Sequence, residues 1–363
     1  MKVLLVSLRS DVGGGPEHVA VLAKGLVDRG FDVLVAAPTG GYSKEFEDRT
    51  QRPTFAMRHR TFGLSELRSL RILICSESFD VVHSHGRGAG VLLRLLRISV
   101  PFNLVHTFHG LHHGSGLRRA ASLALERLFK LIPCHQIFVS RSEFQEATSD
   151  KLLRERNYSV VENGIELREG SDWRHRTIRE PVIAHVSRFN YHKNTDEALA
   201  VFDEYRHFAP AARLVVFGEP DESTLEEWQR ERYVPDAVEF FGNVADLRSA
   251  LIQENVSCVI SSSRWEGLPL SLIEAMSVGV PVVASNVVGN SDVIDGAGGA
   301  LYQLGDIHAG SIALKSILDP ENHRMHSEAA VKKATARWSA QRMVDETVCA
   351  YTSVVDSPVK WGI

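Results

Sequence analysis

Cysteine is scarce in this chain. Cys75, Cys134, Cys258 and Cys349 are the only four, far apart and without a Cys-x-x-Cys pair. That excludes a disulfide framework and a thiolate metal cluster, and it fits buried single thiols in a reducing compartment. No run approaches the ~18 apolar residues of a spanning helix. The opening MKVLLVSLRS has an apolar stretch too short for a signal peptide and no small-residue cleavage site after it, so export is not expected. Low-complexity tracts, short repeats, and collagen-like, mucin-like or coiled-coil bias are all missing. What is present is the composition of a folded protein, 44% hydrophobic and 24% charged over 363 residues. One core stops growing at roughly 250–300 residues, so two domains are expected.

Charge is unevenly spread about the net −4. Residues 1–170 carry 23 Lys and Arg against 18 Asp and Glu, and the remainder is acidic. A basic half suggests an anionic partner such as phosphate, a lipid head group or nucleic acid. Solvated helix faces would give the same imbalance.

Short β-rich runs alternate with longer helical patterns. Val3–Ser7 and Asp32–Ala37 are continuous apolar strands, with Glu17–Arg29 between them showing apolar residues at helical spacing. The pattern recurs at 80–84, 102–108, 136–140 and 158–162, and restarts at 182–187, 213–218, 238–242, 257–262 and 280–285. Helices are expected at 117–131, 307–318, 320–338 and 340–355. Strand–helix alternation of this kind builds βαβ units and parallel sheets. The polar, aperiodic stretch around 166–181 reads as a linker. The expected organisation is a first domain at 1–168, a linker at 169–181, a second domain at 182–338 and a closing helix at 339–363 that packs back on the first domain. Ligands in such sheets bind outside the carboxyl ends of the strands, which points to the cleft between two such domains.

The residues at those strand ends carry the chemistry. Gly13, Gly14 and Gly15 precede a helix expected to open near Pro16-Glu17, where bare backbone and N–H groups receive anions. The dinucleotide fingerprint fails, because His18 stands at its third glycine and the second strand ends Ala36-Ala37-Pro38 without an acidic residue. A Walker loop fails too. Histidines gather at first-domain strand ends, namely His83, His85, His106, His109, His112 and His113. His83 and His85, two apart on a strand, point the same way, but no carboxylates or cysteines lie near and no metal site is expected. His109 at a strand's carboxyl end is placed to hydrogen-bond a sugar or acceptor, although a histidine satisfied by the fold reads the same way. Arg188 and Lys193, just past a strand, suit a pyrophosphate.

The sharpest signal lies in 261–294. Glu266 and Glu274 are separated by seven residues, with a Gly267-Leu268-Pro269 turn between them. Ser271 and Glu274 fit a capping box, so N–H groups near Leu270 and Ser271 would meet phosphate. Glu266 would then hold sugar hydroxyls and Glu274 a ribose diol. Glu274 as a mere cap, and a glycosidase pair of carboxylates, are the competing readings.

These segments together resemble the retaining glycosyltransferases of family 4. The glycine loop with Glu17 resembles the family's GG-x-E, and Val161-Glu162-Asn163-Gly164-Ile165 its P-N-G-I/V with Glu162 for proline. SRFNYHKN (187–194) resembles G-R-L-x-x-x-K-G, with Ser187 and Asn194 for the glycines. EGLPLSLIEAMSVGVPVVAS (266–285) closely resembles E-G-F-G-L-x-x-x-E-A-M-A-x-G-x-P-V-V-A-S, and Pro269 is a departure where the family often has glycine.

The resemblance implies the GT-B fold, which is α/β with two tandem Rossmann-like doubly wound domains facing each other across a cleft. It implies that Gly14 and Gly15 give amides to the donor, that Arg188 and Lys193 neutralise the leaving diphosphate, and that Glu266 and His109 lie at the donor sugar. Gly267, Leu268, Leu270, Ser271 and Glu274 would hold the nucleotide, with Asn243 and Val244 by the base. The activity implied is transfer of a hexose from a nucleotide-diphosphate sugar to a hydroxyl, with retention, by a hexosyltransferase of glycan or glycolipid synthesis. Neither metal nor other cofactor is implied, and nucleic acid is no partner. A sugar-nucleotide epimerase of the same shape and a non-catalytic nucleotide-sugar binder are the alternatives. Basic residues alternating with leucines in RGAGVLLRLLRIS and GLRRAASLALERLFKLI suggest a cytoplasmic enzyme resting on an anionic inner membrane face, with a sugar or lipid-linked sugar as acceptor.

Overall fold

The structure is a computed structural model that describes residues 1–59, 63–111, 114, 116–154, 157–168, 180–220, 226 and 237–358. Most of the expected linker, together with Arg60, His112 and His113, lies outside these residues. The chain forms two compact units, Met1–Glu166 with Ala340–Ile363, and Leu167–Ser339.

The first unit holds a parallel sheet of seven strands: β1 (Lys2–Ser7), β2 (Asp32–Pro38), β3 (Phe55–Met57), β4 (Val81–His85), β5 (Leu104–Thr107), β6 (His135–Phe138) and β7 (Tyr158–Val160). Their order is β3-β2-β1-β4-β5-β6-β7. The chain builds outward from β1 in one direction and from β4 in the other, so the topology switches between β1 and β4. Both faces are covered, which is why β1 is apolar throughout rather than alternating. Val3 and Leu5 enter a core with Leu22 and Leu26 of helix Gly14–Val27 and Met343 and Tyr351 of helix Ala340–Asp356. Leu4 and Val6 enter the opposite core with Leu70, Ala89 and Leu93. Each such leucine, fully buried, stabilises by about 1.5–3 kcal/mol relative to exposure.

The second unit repeats the plan with six parallel strands: β8 (Val182–Val186), β9 (Arg213–Phe217), β10 (Val238–Phe240), β11 (Cys258–Ser261), β12 (Val282–Ser285) and β13 (Gly299–Tyr302). The order β10-β9-β8-β11-β12-β13 places the switch between β8 and β11. Ile183, Val216, Ile260 and Val283 pack there with Leu199, Phe202, Leu314 and Ile317. The α/β fold of two doubly wound parallel-sheet domains is thus observed.

The structure departs from expectation at four points, the first being that Cys75 and Cys349 are exposed and only Cys134 and Cys258 are the buried single thiols expected of all four. The edge strands β3 and β13 were not anticipated, because β3 has only three residues and β13 (GALY) lacks a strand's β-branched signature. A Cβ on Gly299 would lie 2.1 Å from the Val282 carbonyl oxygen, so glycine lets β13 close on β12. The first helix begins at Gly14 rather than near Pro16, which makes Gly14 and Gly15 first-turn residues. The capping box is not formed. Pro269 is the N-cap, no side chain caps the helix, and Ser271 is already its second residue.

Candidate functional site

In the second unit the loops after β8 and β11 flank the switch point. Arg188 stands two residues past β8 and is half-buried. Lys193 Nζ donates to Glu266 Oε1 at 2.7 Å, and Ser263 Oγ donates to the same oxygen at 2.7 Å. His192 Nε2 lies 3.5 Å from it, and its ring stacks on Trp265 with centroids 4.9 Å apart. Burial works to raise the Glu266 pKa, but the Lys193 charge and the His192 and Lys193 hydrogen bonds outweigh it and hold the carboxyl far below the usual range. Lys193 and Glu266 therefore form a pre-set, charged pair rather than two separate contacts. Four residues after Glu266, the helix Leu270–Ser277 starts; its first N–H groups have no carbonyl within the helix to bond. Leu268, Leu270 and Glu274 are buried, and Gly267 is buried beside the loop that holds Glu266.

Local backbone explains why that loop holds its shape. Asn194 sits at φ 52°, where the resembling motif carries glycine, and asparagine tolerates this left-handed region better than other side chains. Its Oδ1 accepts from Arg264 at 2.6 Å, and Ser262 Oγ donates to its carbonyl at 2.8 Å. Glu266 N donates to Val288 O at 3.1 Å, and Gly289 at φ 84° would bring a Cβ within 2.6 Å of Gly267 O. Only glycine lets the two loops close. Asn243 is exposed and Val244 half-buried, just past β10. Gly218 N donates to Gly242 O at 2.7 Å, which fixes that segment at the end of β9.

In the first unit the histidines meet at the β1/β4 switch point. His18, one turn into the helix after β1, has Nδ1 3.0 Å from Asn163 Oδ1. His85 ends β4, and His109 follows β5 with its ring nitrogen Nε2 3.2 Å from His85 Nδ1. His83 bonds Tyr351 Oη at 2.6 Å and Thr107 Oγ1 at 2.8 Å, and His106 Nδ1 bonds Ser84 Oγ at 2.9 Å. His83 and His85 do share a side, with ring centroids 4.0 Å apart. Burial pushes the pKa of His18 down to about 4 against the raising effect of Asn163. Burial first, then neighbouring histidines, push His109 well below its ordinary value. The cluster is neutral, able to accept and donate hydrogen bonds to an uncharged polyol. Gly14 and Gly15 begin the helix that carries His18, four and three residues before it.

Several residues in this arrangement carry no ligand-binding motif of their own in the sequence. In the sequence His18 shows only as the residue that breaks the dinucleotide fingerprint. Glu143 is fully buried and accepts from Gly110 N at 2.6 Å and Val139 N at 2.7 Å, pinning the loop where His109 adopts φ 63°. Ser140-x-x-Glu143 has the spacing of a helix cap, and Ser140 Oγ accepts from Glu143 N at 3.1 Å, but that local motif carries no sign of the carboxylate's reach to Gly110, 33 residues away. Ser263 and Gly218 follow the strand ends of β11 and β9, which is the sequence signal that marks them.

Residues 12–169 match the family described as Glycosyltransferase Family 4, and residues 172–334 match Glycosyl transferases group 1. The chain is 24% identical over 349 residues to the UDP-Gal:alpha-D-GlcNAc-diphosphoundecaprenol alpha-1,3-galactosyltransferase of Escherichia coli, covering 90% of each. It is 26% identical over 366 residues to the phosphatidyl-myo-inositol mannosyltransferase of Propionibacterium freudenreichii, covering 94% of this chain and 91% of the other. Among solved structures, Anabaena HepE in complex with UDP and glucose superposes with a TM-score of 0.81 at 19% identity, over 97% of this chain and 100% of that one. This last likeness is one of fold.

Proposed function

The chain belongs to the glycosyltransferases of group 1 and family 4, and we propose that it moves a hexose from a nucleotide-diphosphate sugar to an acceptor hydroxyl with retention of anomeric configuration. The observation that carries this reading is the Lys193–Glu266 pair, 2.7 Å apart at the carboxyl ends of β8 and β11, ahead of the start of helix Leu270–Ser277. Lys193, Arg188 and the helix N–H groups would stabilise the charge that grows on the leaving diphosphate. Glu266 would hold sugar hydroxyls while fixing Lys193, Glu274 would take the ribose, and Asn243 and Val244 would border the base. His109, with Gly14 and Gly15, would contact the transferred sugar. As the bond from the anomeric carbon to the diphosphate breaks, the bond to the acceptor oxygen forms on the same face, and a departing phosphate oxygen takes the hydroxyl proton. With two cations in place, no resident metal or cofactor is called for.

The acceptor in this reading is a sugar or lipid-linked sugar met at the cytoplasmic face of a membrane. Helix Gly116–Phe129 supports it. Leu117, 90% exposed, Ala121, Ala124 and Leu128, 60% exposed, fall on one outward stripe, with exposed Arg118 and Arg127 on either side. Among the described residues no helix is long and apolar enough to cross a membrane.

The test is thermal stabilisation by a panel of UDP-, GDP- and ADP-sugars, followed by turnover with and without acceptor. A ligand at 100 times its dissociation constant adds about 2.7 kcal/mol. Donor turnover requiring acceptor, undiminished in EDTA and lost in Arg188→Ala, is expected. Interconversion of the sugar nucleotide without acceptor would make the protein an epimerase instead.

A further inference from the structure

We propose that His18, His85 and His109 form a binding site for zinc or a similar transition-metal ion, and that occupying it blocks sugar transfer. Five histidines crowd the β1/β4 switch point, but they are not equivalent. Both nitrogens of His83 are taken, by Tyr351 and Thr107, and His106 Nδ1 is held by Ser84. The other three come from three separate elements, and each offers a ring nitrogen within 4.8 Å of the others. His85 Nδ1 and His109 Nε2 are 3.2 Å apart. Two nitrogens at 2.0–2.1 Å from a tetrahedral zinc stand about 3.3 Å from each other, so this pair already has the spacing of two ligands on one ion. Without an ion, one of those two lone pairs must be protonated to make the contact favourable; a metal satisfies both.

His18 completes the set through its outer partner. Asn163 Oδ1 accepts the Nδ1 proton, which leaves the lone pair on Nε2. A metal-bound histidine is usually held by such an acceptor on its other nitrogen. His109 is only half-buried while His18 and His85 are buried, so the fourth position opens on the His109 side, where water or a sugar hydroxyl enters. Three imidazoles without a carboxylate select zinc, cobalt or nickel over magnesium and calcium. The inhibitory half of the proposal rests on the role given above to His109, whose Nε2 a bound ion would occupy.

The experiment uses the full chain stripped of metal. Cobalt(II) should bind at one equivalent with the intense visible bands of a tetrahedral site, and zinc should displace it. His18→Ala and His109→Ala should each abolish the bands, while Asn163→Ala should weaken binding 10–100-fold. Absent binding, or bands unchanged in both histidine variants, overturns the site. In the transfer assay zinc should inhibit and EDTA should restore activity. Full transfer with the cobalt bands present keeps the metal site and overturns the block, and with it the sugar contact of His109. A protein that transfers under no condition counts against the transferase reading alone, because the cobalt titration still decides the site.

Discussion

Asn163 and His18 are 145 residues apart in the chain, and their side chains meet at 3.0 Å. The contact is held from a third region. Arg342 Nη2 donates to Glu162 O at 2.7 Å, and Gly164 N lies 3.2 Å from Met343 Sδ, so the C-terminal helix clamps the segment that carries Asn163. Tyr351 of the same helix reaches His83. Asn163→Ala leaves the buried His18 nitrogen without this acceptor, which should cost about 1–3 kcal/mol. Chemical denaturation should show the loss, and unchanged stability would mean the bond contributes nothing.

The Lys193–Glu266 pair should matter to rate more than to fold. Glu266→Gln keeps the shape of the side chain but removes the charge that orders Lys193. We expect kcat to fall on the order of 10²–10³-fold, the scale for losing one pre-set charge contact in a transition state. Steady-state kinetics on a protein of native circular dichroism checks it. A change confined to KM would place the pair in ground-state binding only.

Acid should destabilise both units. Burial lowers the pKa of His135 and of His185 to about 4 from 6.5. The folded protein therefore binds fewer protons than the unfolded chain between those values. Stability is fully present above pH 6.5 and should fall as pH drops toward 4, by about 1.4 kcal/mol per pH unit for each such histidine. Melting temperatures across pH 4–7 test this; a flat profile would contradict it.

Gly218 is the tightest backbone position near the candidate donor site. Its φ is 133°, and a Cβ there would stand 1.9 Å from Ser187 O, one residue before Arg188. Gly218→Ala should cost at least 1–3 kcal/mol, roughly, and weaken nucleotide-sugar binding by shifting Arg188. Calorimetric titration of the variant reads both effects, and wild-type affinity would sink the link to Arg188.

Membrane docking predicts flotation with anionic vesicles at low salt that fades as salt rises. Each basic residue near the surface is worth about 1 kcal/mol. Leu128→Glu should reduce recovery without unfolding the protein, since Leu128 is 60% exposed. Equal recovery with neutral vesicles, or none with either, would point to a soluble acceptor.

Local patterning dictates the alternation of strands and helices, and hence two parallel-sheet domains. Buried strands such as VLLVS are apolar on both faces, and that pattern is local. It also placed Glu266, Lys193 and His109 at strand ends, because the carboxyl edge of a parallel sheet follows from chain direction alone. Which of these side chains touch follows instead from how the strands are ordered within each sheet. That Lys193 pairs with Glu266 depends on β8 and β11 being neighbours although 71 residues lie between Val186 and Cys258, a fact of strand order rather than of spacing. That His18 belongs with His85 and His109 depends on β1 lying against β4. Edge strands β3 and β13 stayed hidden because pairing, not propensity, makes them strands. Ser271 looked like a cap because a four-residue motif carries no record of where its helix begins, and that start was set by Pro269 and the burial of Leu270.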